Sequence, residues 1–416
     1  MNTPDGRPAT VGILGFGKTG SLWLPRGTAS DIWAARPGAG CHHLGSPFSY
    51  DRPTEMTTPE VHRPRARRPL AWGVAASAGL AGLILSACAS APAQDAAPPK
   101  DAPATSSSTT ATAPPPVCPL TGVAAPGGEV PQRPAMAVKI DNYPSGRPQS
   151  GLNQADIVFE EPVEGGITRY AAIFHCQNVA LIGPVRSARN IDVGILGQLG
   201  NPLEAHVGGI NPVIANINAS PVVNVDLGAS DSLQIHPPGR VSPDADFTST
   251  ALVYGTHPTM NTPPQPIFTY TDAPPPGGTP ASAVNIPFSG TSNVTWKWNA
   301  TTGTFQRYYN GNQPDMLSNG VQNQASNVIV QYVDIGYGPW AENDMGGLEV
   351  QADLYPNSSG TAIVLRNGQQ IQGSWHRTTL GSPTQFVNAA GAPITMMPGP
   401  TWVELVPNTI MAAVTP

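Results

Sequence analysis

The sequence contains few charged residues, few aromatic residues and few cysteines. Charged residues make up 12% of the 416 positions, aromatic residues 6%, and there are four cysteines. Proline (48) and glycine (44) are abundant instead, which is typical of long loops and linkers. After Cys88 there are 12 Lys and Arg against 22 Asp and Glu, a net charge of −10, without a basic stripe. Nucleic-acid binding is therefore not expected.

Several enzyme motifs are also absent. No Gly-x-Ser-x-Gly turn of a serine hydrolase occurs, and the histidines lack the paired spacing of metal ligands, so we predict no metal. Residues 15–20 (GFGKTG) match a dinucleotide-binding pattern, but Pro25 and Gly27 follow at once and leave no room for the crossover helix and second strand. We expect no cofactor and interpret residues 1–55 as a non-native or disordered extension.

Residues 56–88 have the order of a lipoprotein signal peptide. Four arginines between positions 63 and 68 precede an apolar run at 70–85, and Leu85-Ser86-Ala87-Cys88 follows. A basic region, an apolar region and small residues at the cleavage site predict secretion. The last four residues resemble the lipobox, in which the cysteine is lipidated. The apolar run has 16 residues, fewer than the ~20 of a membrane span. We therefore predict an extracytoplasmic protein that is anchored to the cell membrane through Cys88.

The chain after the anchor begins with a segment of low complexity. Residues 89–117 are mostly Ala, Pro, Ser and Thr, and such a segment buries too little apolar surface to fold, so we predict a disordered tether. Cys118 and Cys176 are the remaining thiols of the exported part. An oxidising compartment favours a disulfide between them, and two independent thiols are the alternative.

The folded part is predicted to be α+β. Residues 118–270 alternate strand-length apolar runs with short helical patterns, which indicates a mixed α/β domain. Residues 271–283 are rich in Pro and Gly and are predicted to be a linker. Residues 284–412 are predicted to form a β-rich domain, in which Asn367-Gly368 favours a hairpin turn. The expected order is a tether, a mixed α/β N-terminal domain and a β-rich C-terminal domain.

Charged residues interrupt the apolar runs between positions 139 and 206, and this region is the candidate site. Arginine presents a planar fork that suits carboxylate or phosphate, so several arginines near a Gly-Gly turn and a predicted helix start could hold an anion. Buried structural ion pairs with nearby carboxylates are the alternative. The candidate ligand-binding residues are Asp141, Asn142, Arg147, Glu164, Arg169, Arg186, Arg189 and His206.

Acid–base chemistry has three candidate residues, Glu160, Glu164 and His206. A pair of carboxyls that hydrolyses a glycoside lies ~5–10 Å apart, and a separation of four residues in sequence does not determine that distance. A single histidine is more often structural than catalytic, although its pKa suits catalysis.

Several sequence blocks resemble those of the YerB-like lipoproteins, a bacterial family with N- and C-terminal domains of unknown function. In the first half these blocks are Lys139-Ile140-Asp141-Asn142 and residues 147–152 (RPQSGL), 155–158 (ADIV), 163–169 (VEGGITR) and 182–189 (IGPVRSAR). In the second half they are residues 294–296 (VTW), 327–332 (NVIVQY), 373–375 (GSW) and 398–404 (PGPTWVE). The resemblance implies two domains and an envelope location, but no established reaction. Residues 234–240 (QIHPPGR) depart from the family pattern and keep only its histidine.

Three functions are compatible with these features. The first is a lipid-anchored protein that binds an anionic cell-envelope ligand, such as a cell-wall fragment or an envelope protein, through the arginines. The second is an envelope hydrolase of glycan or peptide, and the third is a scaffold whose β-rich domain docks another protein. A shared pocket for the arginines favours the first two, whereas an exposed apolar patch favours the third.

Overall fold

The computed structural model of the protein describes residues 115–342 and 347–416. The predicted extension 1–55, the signal peptide 56–88 with Cys88, and all but the last residues of the tether 89–117 lie outside the described residues. Within the described part of the chain, no helix is long and apolar enough to cross a membrane.

The first half of the described chain is dominated by strands. Its α-helices are six to eight residues long, which is too short to form a helical layer comparable with the sheet. The expectation of a mixed α/β domain is corrected accordingly: this half is sheet-dominated. In chain order the elements are β1 Met136–Asp141, β2 Ile157–Pro162, β3 Thr168–Phe174, α1 Ile191–Leu196, β4 Leu203–His206, α2 Asn211–Asn218, β5 Val223–Asp226 and α3 Thr250–Gly255.

The second half consists of strands and loops among the described residues, so its predicted β-rich character is confirmed. The segment predicted as a linker, 271–283, contains the two-residue strand β6. The elements are β6 Thr279–Pro280, β7 Ala283–Pro287, β8 Asn293–Asn299, β9 Thr304–Tyr309, β10 Gln313–Pro314, β11 Gln324–Ala325, β12 Asn327–Val333, β13 Ile335–Ala341, β14 Leu348–Ala352, β15 Ser359–Arg366, β16 Gln369–His376, β17 Gln385–Asn388, β18 Thr401–Pro407 and β19 Ala413–Thr415.

Strands from both halves join in one large sheet. Its strand order is β17-β16-β15-β12-β18-β2-β3-β1-β4-β5, and β6 pairs with β16 at the side. The halves meet where β18 lies parallel to β2, with Thr401 opposite Ile157 and Glu404 opposite Glu160. A smaller sheet contains β7 to β11 and β19, and β13 pairs with β14 in a separate hairpin.

Each face of the large sheet is covered by a different layer. One face packs Ala137 and Phe159 against α1 and α2, in a cluster that includes Ile195 and Val213. The opposite face packs Val138 and Tyr170 against the smaller sheet, in a cluster that includes Trp296. Because side chains alternate between faces along a strand, consecutive residues of β1 and β2 contribute to different layers.

A disulfide joins the start of the folded body to the large sheet. Cys118 and Cys176 are bonded, with their Cα atoms 6.1 Å apart. Cys176 lies two residues beyond the end of β3, so the chain that follows the tether is attached at the edge of the sheet where β3 ends. Both cysteines are buried beside Ala125, in a small cluster of their own.

Candidate functional site

Polar side chains collect at the edge of the large sheet where β1, β2 and β4 end. β1 and β2 both run antiparallel to β3 and are therefore parallel to each other, and β4 is parallel to β1. Arg169, near the start of β3, lies opposite Asp141 of β1 and Glu161 of β2. Ligands commonly bind beyond the carboxyl ends of parallel strands. We call this group the arginine face; it contains Asp141, Glu161, Glu164, Arg169, Arg186 and Arg189.

Arg189 is compensated by carboxylates from both halves of the chain. Its Nε and Nη2 donate to Glu164 Oε2 at 3.0 and 2.8 Å. Its Nη1 lies 3.1 Å from Glu342 Oε2, and its Nε lies 3.9 Å from Glu349 Oε2. All four side chains are buried. For Arg189 the geometry is therefore that of a structural ion-pair network.

The same network holds the β13–β14 hairpin against the first half of the chain. Glu349 is a residue of β14, and it accepts from the Asn190 backbone N–H at 2.7 Å. Burial, followed by a hydrogen bond with Glu342, raises the pKa of Glu349 to about 9. The Val350 N–H donates to Glu164 Oε1 at 3.2 Å. Two carboxyl groups of the predicted site, those of Glu342 and Glu349, therefore come from the second half of the chain and lie outside the candidate region 139–206.

Arg186 forms a weaker and more exposed pair. Its Nε lies 3.2 Å from Asp141 Oδ2, and its side chain is 25% exposed. Its Nη1 donates to the carbonyl of Pro243 at 3.2 Å. Asp244 follows that proline, and its pKa is raised by burial and by the neighbouring Asp141. Arg186 is therefore paired, but it remains open to solvent at the rim of the arginine face.

Arg169 differs from the other two arginines because no carboxylate pairs with it among the described residues. Its Nη1 donates to the carbonyl of Ser187 at 3.2 Å, whereas its buried Nε has no hydrogen-bond partner. The side chain is 7% exposed. Burial lowers the pKa of Arg169 to about 10; Arg189 and Arg186 lower it further, whereas Asp141 and Glu164 raise it. The three predicted arginines are thus close enough to influence one another, and Arg169 has no carboxylate at ion-pair distance within the described part of the chain.

The carboxylates beside Arg169 are engaged elsewhere. Asp141 pairs with Arg186 and accepts from the Tyr143 N–H at 3.2 Å. Glu161 bonds to Lys139, and Glu164 bonds to Arg189. A buried guanidinium without an ion pair is unfavourable unless other charges compensate it, and here Asp141 and Glu164 act on Arg169 only at longer range.

A second buried cluster, centred on Lys139, was not recognised as a site in the sequence. Lys139 Nζ bonds to Glu161 and, at 2.6 Å, to Asp192 Oδ1. Burial raises the pKa of Glu161 to about 8, and it also raises the pKa of Glu204 well above its usual range. The signal was present, because Lys139 and Glu161 interrupt strand-length apolar runs. However, Glu204 lies on β4, and no local spacing links it to Lys139.

Asn142, Arg147 and Glu160 lie together, but on the opposite face of the sheet. Asn142 Nδ2 donates to Glu160 Oε1 at 3.2 Å, and Arg147 Nη2 donates to the Asn142 carbonyl at 2.7 Å. The guanidinium of Arg147 lies 3.6 Å from the centre of the Tyr309 ring. Arg307 Nη2 donates to Glu160 Oε2 at 2.6 Å. These residues therefore connect the large sheet to the smaller one and do not form part of the arginine face.

His206 has no free ring nitrogen. Its Nδ1 lies 2.8 Å from the Gly208 carbonyl, and its Nε2 lies 2.7 Å from Asn224 Oδ1. The residue is fully buried at the end of β4. This arrangement is typical of a histidine that organises the adjacent loop.

The two glutamates named as acid–base candidates also have internal partners. Glu160 accepts from Thr168, Asn142 and Arg307, whereas Glu164 accepts from Arg189 and from the Val350 N–H. They belong to different networks, on opposite faces of the sheet. Within the described part of the chain, no group of three or more His, Cys, Asp or Glu residues is arranged to hold a metal ion.

Comparisons with known proteins agree with the sequence blocks. A family model described as protein of unknown function (DUF3048), N-terminal domain, matches residues 120–261. The corresponding C-terminal domain model matches residues 284–403. The chain is 26% identical over 312 residues to a Bacillus subtilis (strain 168) protein named "Putative lipoprotein YerB", covering 71% of this chain and 88% of the relative.

The fold is likewise that of a solved structure. The crystal structure of YerB protein from Bacillus subtilis superposes with a TM-score of 0.61 at 23% identity. The match covers 72% of this chain and 99% of the YerB chain. At this level of identity the likeness concerns the fold and does not assign a ligand or a reaction.

Proposed function

Because the chain belongs to the YerB-like family, with the DUF3048 N- and C-terminal domains, we propose that it is a membrane-anchored, extracytoplasmic binding protein. Its ligand is an anionic component of the cell envelope, either a cell-wall fragment or an acidic segment of an envelope protein. The arginine face binds it, with Arg169 as the central residue and Arg186 at the rim.

The observation that carries this proposal is the unpaired guanidinium of Arg169. Its Nε is buried without a hydrogen-bond partner, and the carboxylates on either side are bonded to other cations. A structural arginine normally has its charge compensated within the fold, as Arg189 has here. A guanidinium in a pre-organised position without a counter-ion is suited to a carboxylate or phosphate group.

The position of the site also suits a tethered binding protein. Arg169 is near the start of β3, whereas Cys176 and its disulfide lie just beyond the end of that strand. A strand of seven residues spans about 20 Å at ~3.3 Å per residue. The arginine face therefore lies about one strand length away from the attachment of the tether.

A hydrolase receives less support from the same residues. General acids and bases need a group that can exchange a proton with the substrate. Glu160, Glu164 and His206 are bonded within the fold on every side that the structure describes. The binding function requires no such free group.

The binding function is tested with the purified protein and isolated cell-envelope material. We expect Arg169→Met to abolish sedimentation with the ligand-bearing fraction, because methionine retains the apolar stem and removes the charge. Arg133→Met is the matched control, since Arg133 lies near the other end of β3 and donates to the carbonyl of His175. If Arg169→Met and Arg133→Met bind equally well, the arginine face is not the binding site.

The anchor is tested separately through Cys88. Each buried methylene of a lipid chain contributes about 0.8 kcal/mol, so two or more chains hold a protein stably on the membrane. We expect the wild-type protein in the membrane fraction and Cys88→Ser in a form without the lipid modification. Detergent-phase partition and intact-mass measurement check this. If the wild-type mass differs from that of Cys88→Ser only by the exchange of sulfur for oxygen, lipidation at this position is excluded.

A further inference from the structure

Arg169 has one occupied edge and one edge without protein partners. Nη1 donates to the Ser187 carbonyl, whereas neither Nε nor Nη2 has a hydrogen-bond partner among the described residues. Nε and Nη2 together form the side-on edge of a guanidinium, on which two parallel N–H groups point in the same direction. That edge matches the two oxygens of a planar carboxylate, each accepting one hydrogen bond.

Arg189 shows, within the same molecule, how this edge is used when it is filled. Its Nε and Nη2 both donate to a single oxygen of the Glu164 carboxylate, Oε2, at 3.0 and 2.8 Å, while Oε1 accepts from the Val350 N–H. Arg169 has the corresponding atoms without such a partner. The comparison suggests that a carboxylate from outside the chain takes the place that Glu164 takes on Arg189.

The local charges favour an anion with a single charge. Carboxyl groups outnumber basic residues around the site. The basic residues are Lys139, Arg169, Arg186 and Arg189, and the carboxyl groups ion-paired with them are Asp141, Glu161, Glu164, Asp192, Glu342 and Glu349.

Glu204 and Asp244 are further carboxyls beside these residues. Burial raises the pKa of Glu161, Glu204, Asp244 and Glu349, which reduces the negative charge that a ligand meets there. A bound carboxylate adds one negative charge, whereas a phosphate monoester adds close to two beside the buried carboxyls and is disfavoured.

Building on the proposed function, we propose that the group bound at the arginine face is a singly charged carboxylate, held side-on by Nε and Nη2 of Arg169. In the cell envelope such a group comes either from the C-terminus of a peptide or from an acidic sugar. The shared chemistry is the carboxylate, and two probes distinguish its sources.

The test titrates the full-length protein in detergent with three probes at low ionic strength. The probes are N-acetylalanine, a model for a peptide terminus; glucuronate, a model for an acidic sugar; and methyl phosphate, the doubly charged competitor. Binding is followed by calorimetry and by the Nε–H resonance of Arg169 in protein labelled with ¹⁵N-arginine. The resonance reports on the wild-type side chain directly and does not depend on a variant that folds.

We expect at least one carboxylate probe to bind about tenfold more tightly than methyl phosphate, which corresponds to ~1.4 kcal/mol. The Nε–H resonance of Arg169 should shift as that probe binds. Arg169→Lys should weaken binding about tenfold or more, because lysine lacks the fork, whereas Arg133→Lys should bind as the wild type does. The carboxylate probe that binds more tightly identifies the source.

Two results would overturn the inference, and they differ in what else they exclude. If methyl phosphate binds at least as tightly as both carboxylates and Arg169→Lys loses it, the carboxylate assignment falls and the anion site remains. If no probe shifts the Arg169 resonance and Arg169→Lys binds envelope material as the wild type does, the proposed function falls as well.

Discussion

Glu160 and Glu404 are direct neighbours across the parallel strands β2 and β18, and both are fully buried. Burial, together with the adjacent Glu160, raises the pKa of Glu404 well above its usual range, which favours the protonated form of Glu404. Arg307 donates to Glu160 Oε2 at 2.6 Å, and Trp296 Nε1 donates to Glu404 Oε1 at 2.7 Å. The pair thus joins the two halves of the chain through one carboxylate and one carboxylic acid.

The difference in protonation predicts different effects of the same substitution. Glu404→Gln replaces a neutral acid with a neutral amide that can still accept from Trp296, so we expect a change of less than about 1 kcal/mol near neutral pH. Glu160→Gln removes the charge that compensates Arg307, and breaking a buried pair on one side costs about 3–5 kcal/mol. Urea denaturation of both variants checks this. Equal losses would show that both glutamates are ionised.

Removing the charge of Arg169 and removing the charge of Arg189 should affect the free energy of unfolding differently. Arg169→Met removes a buried guanidinium without a counter-ion, so we expect the free energy of unfolding to stay within about 1 kcal/mol of the wild type or to increase. Arg189→Met leaves Glu164 and Glu342 uncompensated, and we expect a loss of about 3–5 kcal/mol. Chemical denaturation measures both. A loss for Arg169→Met as large as that for Arg189→Met would mean that Arg169 is compensated within the fold.

Loss of ligand binding in Arg169→Met without loss of stability would also separate a functional residue from a structural one. Residues that serve binding are frequently neutral or costly for stability, because their interactions are completed only by the ligand. The same variant therefore links the denaturation experiment to the binding experiment.

The local part of the site could be predicted from the sequence, and the distant part could not. Asp141, Glu164, Arg169, Arg186 and Arg189 follow or precede strand-length apolar runs, and the ends of adjacent strands meet at one edge of a sheet. Sequence spacing therefore brought these residues into one candidate site. The face on which each lies depends on register, which is why Asn142 and Arg147 belong to the opposite face.

The partners that decide the role of each residue come from far along the chain. Glu349 accepts from Asn190 across 159 positions, and Arg307 donates to Glu160 across 147. No local pattern encodes these contacts, because they arise when β18 pairs with β2 and β14 packs against α1. The balance of the first half towards strands was missed for a different reason: its helical patterns form helices of only six to eight residues.

The buried carboxyls predict that stability falls as the pH rises above about 5. Burial raises the pKa of Asp156 to about 6 and of Glu161 to about 8. An acid with a raised pKa in the folded state retains a proton that the unfolded chain releases. Its contribution is therefore complete below the unfolded pKa and is lost as the pH rises to the folded pKa.

Urea midpoints between pH 5 and pH 9 measure this dependence. For Glu161 the window extends from its ordinary value of 4.5 to about 8. We expect Glu161→Gln to flatten the decline in that window, since glutamine does not titrate. Glu129→Gln, at an exposed position, is the control and should leave the slope unchanged. A midpoint that is independent of pH would show that the buried carboxyls are not neutral in the folded protein.

From the position of the disulfide we predict which segment unfolds first when the bond is reduced. Cys118 and Cys176 are 58 residues apart in sequence, and closing a loop of this size restricts the unfolded chain; removing a native disulfide typically costs about 2–5 kcal/mol. Cys118→Ser/Cys176→Ser should lose stability in that range. The Cys118 N–H bonds to the Val123 carbonyl and the Ala125 N–H to the Pro116 carbonyl, while Leu120 of the same segment packs in the large cluster under α1 and α2.

Because the small cluster of Cys118, Ala125 and Cys176 is separate from the two large cores, its loss should leave the sheet intact. We expect limited proteolysis of the double variant to cleave first between positions 118 and 133, before any cut within the large sheet. Oxidised wild-type protein should resist cleavage there, and reduced wild-type protein should behave as the double variant does. First cleavage within β3 or β1 would instead mean that the disulfide stabilises the sheet itself.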